Sequence, residues 1–433
     1  MIWTMLVAPV VLFLLGFPVY FVLLAAATAT VLAVMNLPPI VLHQVIYGGV
    51  ENYALLAVPF FIFAGELMSR CGISERLVVW IQSFVGHIRG SLGMITIFCA
   101  TLLGAISGSS PATVAATGKT LYGDLLKARY GKSFSLGLIA SSGSVAIVIP
   151  PSIALILYGA SAEQSVPKLF IAGILPGFLI SAAMAVYVIF WARRRLPRPA
   201  AGGAAMLDAG AGRAEMGFFA ASRYASGALA MPLVVLLGIY FGYFSPTEAG
   251  GVACLYAIIL ARYIYRSMTW GQILETASDA AYLTGQVMII VASASVFSWL
   301  MTVQGLPQAL VAWVEAAEFS RLAFLLATNI LLLVLGCLID PTSAILVLTP
   351  ILLPIVLDLG IDPIHFGIIM TVNLSIGMFT PPFGLNLFVA QSVLKAELSE
   401  IYRGVVGFFL VQTAALLVIT YIPNISLWLV DFI

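Results

Sequence analysis

Residues 107–113 read Ser107-Gly108-Ser109-Ser110-Pro111-Ala112-Thr113, inside an apolar run long enough to enter a bilayer. The residues from Leu92 to Ile106 have helical character; small hydroxyl residues follow, then a proline that starts a new helix. A serine caps a free N–H and a proline at the first turn has its φ already fixed, so Ser110-Pro111 reads as a capped helix start. A helix that stops and restarts at membrane depth leaves main-chain groups that lipid cannot pair, and survives only inside protein or beside a wet cavity. The stretch is therefore read as the tip of a re-entrant hairpin over 92–126.

A second copy follows about 230 residues later. Leu332–Ile339 is apolar, and Asp340-Pro341-Thr342 breaks and restarts the helix with Asp340 as cap, giving a hairpin over 321–358. Each hairpin is followed by a double proline, Ile149-Pro150-Pro151-Ser152 and Thr380-Pro381-Pro382-Phe383. The spacing is 39 residues from Pro111 to Pro150 and 40 from Pro341 to Pro381. Two prolines remove two N–H donors and clash with the preceding turn, so helices over 133–160 and 364–393 must break. Two hairpins and two broken helices in matching order are the mark of a repeated transporter scaffold with a site near the midplane.

Composition agrees. Of 433 residues, 62% are hydrophobic and 9% charged, against roughly a quarter charged in a soluble domain. Mean hydropathy is +1.11. The chain is an all-α polytopic membrane protein. A net charge of +1 excludes nucleic-acid binding driven by a basic surface. Cys71, Cys99, Cys254 and Cys337 are dispersed and suggest neither disulfides nor zinc, and His43, His87 and His365 belong to no catalytic grouping. No cofactor and no enzyme chemistry is expected. The first apolar run lacks a basic flank and a cleavage site, and is read as a retained span.

Further spans are expected at 5–34, 53–70, 168–191, 226–244, 248–264, 280–303 and 404–430. Amphipathic arms are expected at 75–88 and 307–318, each before a hairpin. The Ala/Gly/Arg-rich stretch 192–223 reads as a cytoplasmic linker. The domain division is 1–91 scaffold helices and arm, 92–160 first half of a transport domain, 161–191 scaffold, 192–223 linker, 224–320 scaffold helices and second arm, 321–393 second half of the transport domain, and 394–433 C-terminal scaffold helix. With the N-terminus cytoplasmic, every Lys and Arg of the 19 except Lys168 and Arg321 falls on the cytoplasmic side, as the positive-inside rule requires. The C-terminus is then periplasmic, and the odd span at 226–244 makes the two halves inverted repeats.

Exposed N–H groups at a helix start attract carboxylates, and free carbonyls at the preceding helix end attract cations. Candidate substrate-binding residues are Ser109, Ser110, Pro111, Thr113, Pro150, Pro151, Ser152, Thr342, Pro381, Pro382 and Asn386. Candidate sodium-binding residues are Ser107, Gly108, Ser109, Ser141, Gly143 and Ser144 in the first half. In the second half they are Gly336, Asp340, Asn373, Gly377 and Thr380. The bland alternative, small residues that let helices approach, fits Gly143, Gly377 and Gly384. Ser245-Pro246-Thr247-Glu248 reads as a capping box, and Glu66 with Arg70 as an i,i+4 pair near the surface.

Taken together, Gly104-Ala-Ile-Ser-Gly-Ser-Ser-Pro-Ala-Thr-Val-Ala-Ala-Thr-Gly118, Ile149-Pro-Pro-Ser152, Ser245-Pro-Thr-Glu-Ala249, Asp340-Pro-Thr342 with Thr349-Pro-Ile-Leu-Leu-Pro354, and Thr380-Pro-Pro-Phe-Gly-Leu-Asn386 resemble the large membrane subunit of tripartite ATP-independent periplasmic (TRAP) transporters. The resemblance runs nearly the whole length and departs from the family only in the linker. It implies an elevator-type secondary transporter of the bacterial inner membrane, driven by sodium as coupling ion. It also implies a small four-helix membrane subunit, a periplasmic solute-binding protein, and a small organic anion such as a C4-dicarboxylate or sialic acid as substrate. Because the chain begins at its first scaffold helix, the small subunit is expected as a separate polypeptide. The alternatives are a stand-alone sodium/carboxylate symporter and, more remotely, a membrane-embedded enzyme.

Overall fold

Hairpin tips and proline breaks, the positions where helices must stop, set the architecture. A computed structural model describes residues 7–85, 88–196 and 216–432, and every regular element among them is helical. Seven of these helices are long and apolar enough to cross a membrane: Tyr53–Arg70, Val166–Arg195, Phe218–Tyr240, Pro246–Ile264, Trp270–Val303, Pro341–Asp358 and Leu398–Tyr421.

The first hairpin pairs Ser91–Ser107 with Ser110–Lys127, and the second pairs Arg321–Gly336 with Pro341–Asp358. Arms of 16 to 18 residues are about 24–27 Å long at 1.5 Å per residue. Each broken helix follows its hairpin. Lys132–Ser144 runs through a tight turn at Val145–Ile147 and resumes as Ile153–Ser161. Pro363–Gly377 resumes as Leu385–Leu394. Both double prolines carry a cis bond.

Small residues bring these elements together at backbone distance. A Cβ on Gly104 would lie 2.5 Å from Ala146 Cα, and one on Gly377 would lie 2.5 Å from Gly336 Cα. Each entering hairpin arm thus packs against its own broken helix close to the break. The C-terminal helix Leu398–Tyr421 packs against Lys132–Ser144 in the same way, where a Cβ on Gly404 would run into the Ser133 carbonyl. Lys132 Nζ meets Glu400 Oε2 at 2.6 Å beside that contact.

Several elements differ from expectation. The span read at 5–34 is interrupted: Ala8–Leu14 ends at Gly16, whose φ is +84°, and Val19–Ala29 begins after Pro18 and continues through Thr30–Val34. A helix at Ile40–Val50 has no counterpart in the sequence reading, because eleven residues interrupted by Gly48 and Gly49 do not read as a span. Gly49 serves packing, since a Cβ there would strike the Ser295 side chain on Trp270–Val303. That long helix starts ten residues before the expected 280, at a Thr269/Gln272 capping box. The last helix stops at Tyr421 and not at 430, because Pro423 cannot continue it. Arg193, Arg194 and Arg195 finish a helix instead of opening the linker, and the next helix starts at Phe218. Residues 197–215 of the linker, with Arg198 and Arg213, and also His87, lie outside the described residues. The arms are helices at Ile73–Val85 and Leu306–Ala316.

Candidate functional site

At the first tip, Gly108 takes the left-handed conformation (φ +60°) and its N–H bonds the Gly104 carbonyl at 2.8 Å, closing the entering arm. Ser109 is then extended, and its hydroxyl accepts from Ala112 N–H at 3.4 Å. The cap is therefore Ser109 and not Ser110, because one extended residue suffices to reverse the chain after the glycine. Ser110 becomes the first helical residue, buried against Asn386. Asn386 Nδ2 donates to Ser110 Oγ at 2.8 Å and to the Ala140 carbonyl at 3.0 Å. At the second tip Asp340 is the cap. Its carboxylate accepts from Ser343 N–H at 2.9 Å and from Ser343 Oγ at 2.6 Å, with Pro341 first in the helix.

Both tips open onto one cavity of about 500 Å³. The first contributes Ser107 through Ala112 and the second Asp340 through Ser343. Ile147, Ile153 and Ala154 come from the first break, and Met378 and Leu385 flank the second. The opposite wall is a different set of helices: Pro18 to Tyr20, then Ile62, Gly65 and Glu66, then Leu283, Gln286, Val287 and Ile290. Gly65 lets that wall touch the tip, since a Cβ there would lie 2.7 Å from the Ser107 carbonyl. Four polypeptide interruptions thus converge on one space of ligand size.

Of the sequence-predicted residues, Ser107, Gly108, Ser109, Ser110, Pro111, Asp340 and Thr342 line this cavity. The others stand behind it. Thr113 Oγ1 donates to the Ser109 carbonyl at 2.8 Å and lies 3.3 Å from Ser107 Oγ. Ser152 closes the first break, accepting from Leu155 N–H at 3.4 Å and donating to the Ile147 carbonyl at 2.5 Å, beside Pro150 and Pro151. Gly143 packs on the Ser110 carbonyl. Ser141 donates back to Gly137, while its carbonyl and Ser144 Oγ meet the amide of Gln412 at 3.0 and 3.2 Å. In the second half, Gly336 lies on Gly377. Thr380 Oγ1 donates to the Ile376 carbonyl at 2.7 Å, and Tyr402 OH donates to the Pro382 carbonyl, next to Pro381, at 2.9 Å. Asn373 is bonded to Asn329 at 2.7 Å. Asn386 is fully buried and ties its own half to the first hairpin.

Glu66 and Gln286 also line the cavity, and sequence reasoning does not put them there. Glu66 does form the expected i,i+4 pair, Arg70 Nε to Glu66 Oε2 at 3.5 Å, while Arg70 Nη2 reaches Asp279 at 2.7 Å and Glu66 is also part of the cavity lining. The available signal is a lone acid at the end of the apolar stretch Phe60-Phe61-Ile-Phe-Ala-Gly-Glu66, which reads as a surface charge because Arg70 follows it. The carboxylates lining the cavity are Glu66 and Asp340, and among the described residues no Lys, Arg or His lines it. With no basic side chain in the lining, the groups available to hold an anion are helix-start N–H groups and hydroxyls. The Ser245/Glu248 capping box forms as expected, with Ser245 N–H to Glu248 Oε2 at 2.7 Å.

Comparison with known proteins identifies the family. The family model for the tripartite ATP-independent periplasmic transporter DctM component matches residues 6–425. The C4-dicarboxylate TRAP transporter large permease protein DctM of Pseudomonas aeruginosa is 39% identical over 383 residues, covering 88% of this chain and 87% of that protein. The isethionate TRAP transporter permease protein DctMQ of Oleidesulfovibrio alaskensis is 36% identical over 413 residues, 95% of this chain and 64% of the relative. Among solved structures, the Neisseria gonorrhoeae antimetabolite efflux pump MtrF superposes with a TM-score of 0.64 at 11% identity, covering 98% of this chain and 96% of that one. The last likeness speaks for the fold alone.

Proposed function

Because this chain belongs to the DctM family of tripartite ATP-independent periplasmic transporters, we propose that it carries a small organic acid inward, driven by sodium, with its hairpin body sliding against a scaffold. It is a multi-pass membrane transporter component and not an enzyme. The observation that carries the proposal is the convergence of both tips and both breaks on one cavity whose far wall belongs to other helices.

The moving body comprises the two hairpins and the two broken helices. In this reading two helices that the sequence assigned to the scaffold travel with that body, and their packing supports it. Leu398–Tyr421 is seated on the first broken helix through Gly404 and Gly137, and its Gln412 is fully buried against Ser141 and Ser144. Val166–Arg195 is joined to the first hairpin by Thr101 and Ser181 hydroxyls 2.8 Å apart. Asn329 to Thr420, at 3.1 Å, is the corresponding link between the second hairpin and Leu398–Tyr421. These matched contacts favour inverted repeats. Val19–Ala29, Ala57–Arg70, Phe218–Tyr240, Pro246–Ile259 and Trp270–Val303 would form the stationary wall.

Sodium would occupy the carbonyl-rich helix ends near Ser107–Ser110 with Ser141–Ser144, and near Gly336–Asp340 with Asn373–Thr380. Moving one charge inward gains about 2.3 kcal/mol per 100 mV. A dianion alone would cost twice that, so two cations neutralise it and a third makes import electrically favourable. The small membrane subunit and a periplasmic binding protein would complete the system. The 64% coverage of DctMQ fits a relative in which a further component is joined to the permease. The bacterial inner membrane, with the N-terminus cytoplasmic and the C-terminus periplasmic, is the placement the basic residues favour. A cysteine at Lys395 should react with an impermeant maleimide only in inverted vesicles. Labelling in intact cells would reverse the orientation.

The test is uptake of labelled C4-dicarboxylates and isethionate into proteoliposomes holding this chain and its small subunit, with and without an inward sodium gradient and the binding protein. Uptake that needs both supports the proposal. Uptake without the binding protein points to a stand-alone symporter, and uptake indifferent to sodium removes the proposed drive.

A further inference from the structure

The arm helix Ile73–Val85 packs against the start of Phe218–Tyr240, where Trp80 Nε1 donates to Ser222 Oγ at 3.0 Å and Arg76 Nη1 to the Tyr224 carbonyl at 3.2 Å. The Arg76 guanidinium lies 4.3 Å from the centre of the Tyr224 ring and 3.7 Å from that of Tyr265. Such ring contacts fix the plane of a guanidinium without neutralising it. Arg76 and Arg223 line a second cavity, of about 590 Å³, which shares no residue with the one between the hairpin tips. No Asp or Glu lines it, and among the described residues neither arginine forms an ion pair. Arg262 and Arg266 flank Tyr265 in sequence and add to the local positive charge.

The basic residues place this end of the molecule in the cytoplasm. Arg76 is half-buried, and a charge withdrawn from water with no carboxylate paired to it is costly unless an anion comes from outside. The cytoplasmic leaflet supplies phosphate groups at that depth, and basic pockets between helices on that side suit them. A guanidinium fork matches two phosphate oxygens at once. Ala230, Leu260 and Ile264 complete the lining with apolar surface, which acyl chains can cover and a soluble anion cannot. We propose that this cavity binds the headgroup of an anionic phospholipid, with the phosphate between Arg76 and Arg223. One arginine belongs to the arm and the other to a scaffold helix, so the bound lipid clamps the two together. The site shares with the transport reading only the cytoplasmic placement of the basic residues, which labelling at Lys395 tests separately.

The full chain with its small subunit is purified in a neutral detergent. Thermal unfolding is followed as dioleoyl phosphatidylglycerol, dioleoyl phosphatidylcholine or inorganic phosphate is added. Phosphatidylglycerol should raise the unfolding temperature saturably, and the other two should not. Arg76→Gln and Arg223→Gln should each raise the half-saturating lipid concentration roughly fivefold, the scale of one basic group at an anionic membrane surface. Arg129→Gln, which lies outside the cavity, should titrate as wild type. If Arg76→Gln fails to fold, Arg223→Gln decides alone, because that side chain is exposed and unpaired. An unchanged half-point in Arg223→Gln, or an equal shift in Arg129→Gln, overturns the site in favour of diffuse surface charge. Equal stabilisation by phosphatidylcholine would remove the role of headgroup charge, and equal stabilisation by inorganic phosphate would replace the lipid with a soluble anion. Either result overturns the proposal, as does a wild type that phosphatidylglycerol does not stabilise.

Discussion

Asp340→Ala is expected to reduce sodium-driven uptake by roughly 10- to 100-fold while leaving a protein that still inserts. Two effects are superposed in that variant. The carboxylate caps the returning arm of the second hairpin through Ser343 N–H and Oγ, and loss of such a cap costs about 1 kcal/mol. It is also the charged group that the second tip presents to the cavity. Asp340→Asn separates the two, because an asparagine caps nearly as well but carries no charge. It should therefore unfold close to wild type in temperature and still transport poorly. Normal sodium-dependent uptake by Asp340→Asn would take the charge out of the mechanism and leave only the cap.

Gly404→Leu should prevent the protein from accumulating in the membrane. The Gly404 backbone rests on Ser133 and Gly137, and a side chain there would meet main-chain atoms that no rotamer change can move. Overpacking of an ordinary core costs about 1–3 kcal/mol, and a clash with backbone belongs at or above the top of that range. The same move would separate Gln412 from Ser141 and Ser144 and leave buried amide groups unpaired. Expression level and the thermal midpoint of the detergent-purified chain are the readouts. Gly123→Leu, where a Cβ meets nothing within 4 Å, is the control and should be tolerated. Wild-type stability of Gly404→Leu would mean the C-terminal helix is not seated on the broken helix.

The hairpins and breaks are legible in the sequence because their chemistry is local. A proline, a glycine and a capping side chain within a few residues dictate where a helix stops. The cap at Ser109 is missed by one position because the left-handed Gly108, not the proline, decides where the chain turns. The helix Ile40–Val50 is not visible, since Gly48 and Gly49 interrupt its apolar run and only the fold shows Gly49 packed on Ser295. The ties that join the halves are beyond reach for another reason. Asn386 meets Ser110 across 276 positions and Ser144 meets Gln412 across 268, and a single polar residue in an apolar helix does not name its partner. Glu66 fails similarly: its i,i+4 pair is correct, and only the fold reveals that Glu66 itself lines the cavity.

The most direct measurement of the central claim is a cross-link between the two walls of the cavity. In a background lacking Cys71, Cys99, Cys254 and Cys337, Ala112→Cys on the first hairpin and Leu283→Cys on the facing helix are joined by a short thiol-specific bridge. Transport is then measured in proteoliposomes before and after the bridge is reduced. The expected result is arrest while the bridge is closed and recovery when it is opened, with each single-cysteine protein unaffected. Full-rate uptake with the bridge intact would contradict a hairpin body that slides against its scaffold.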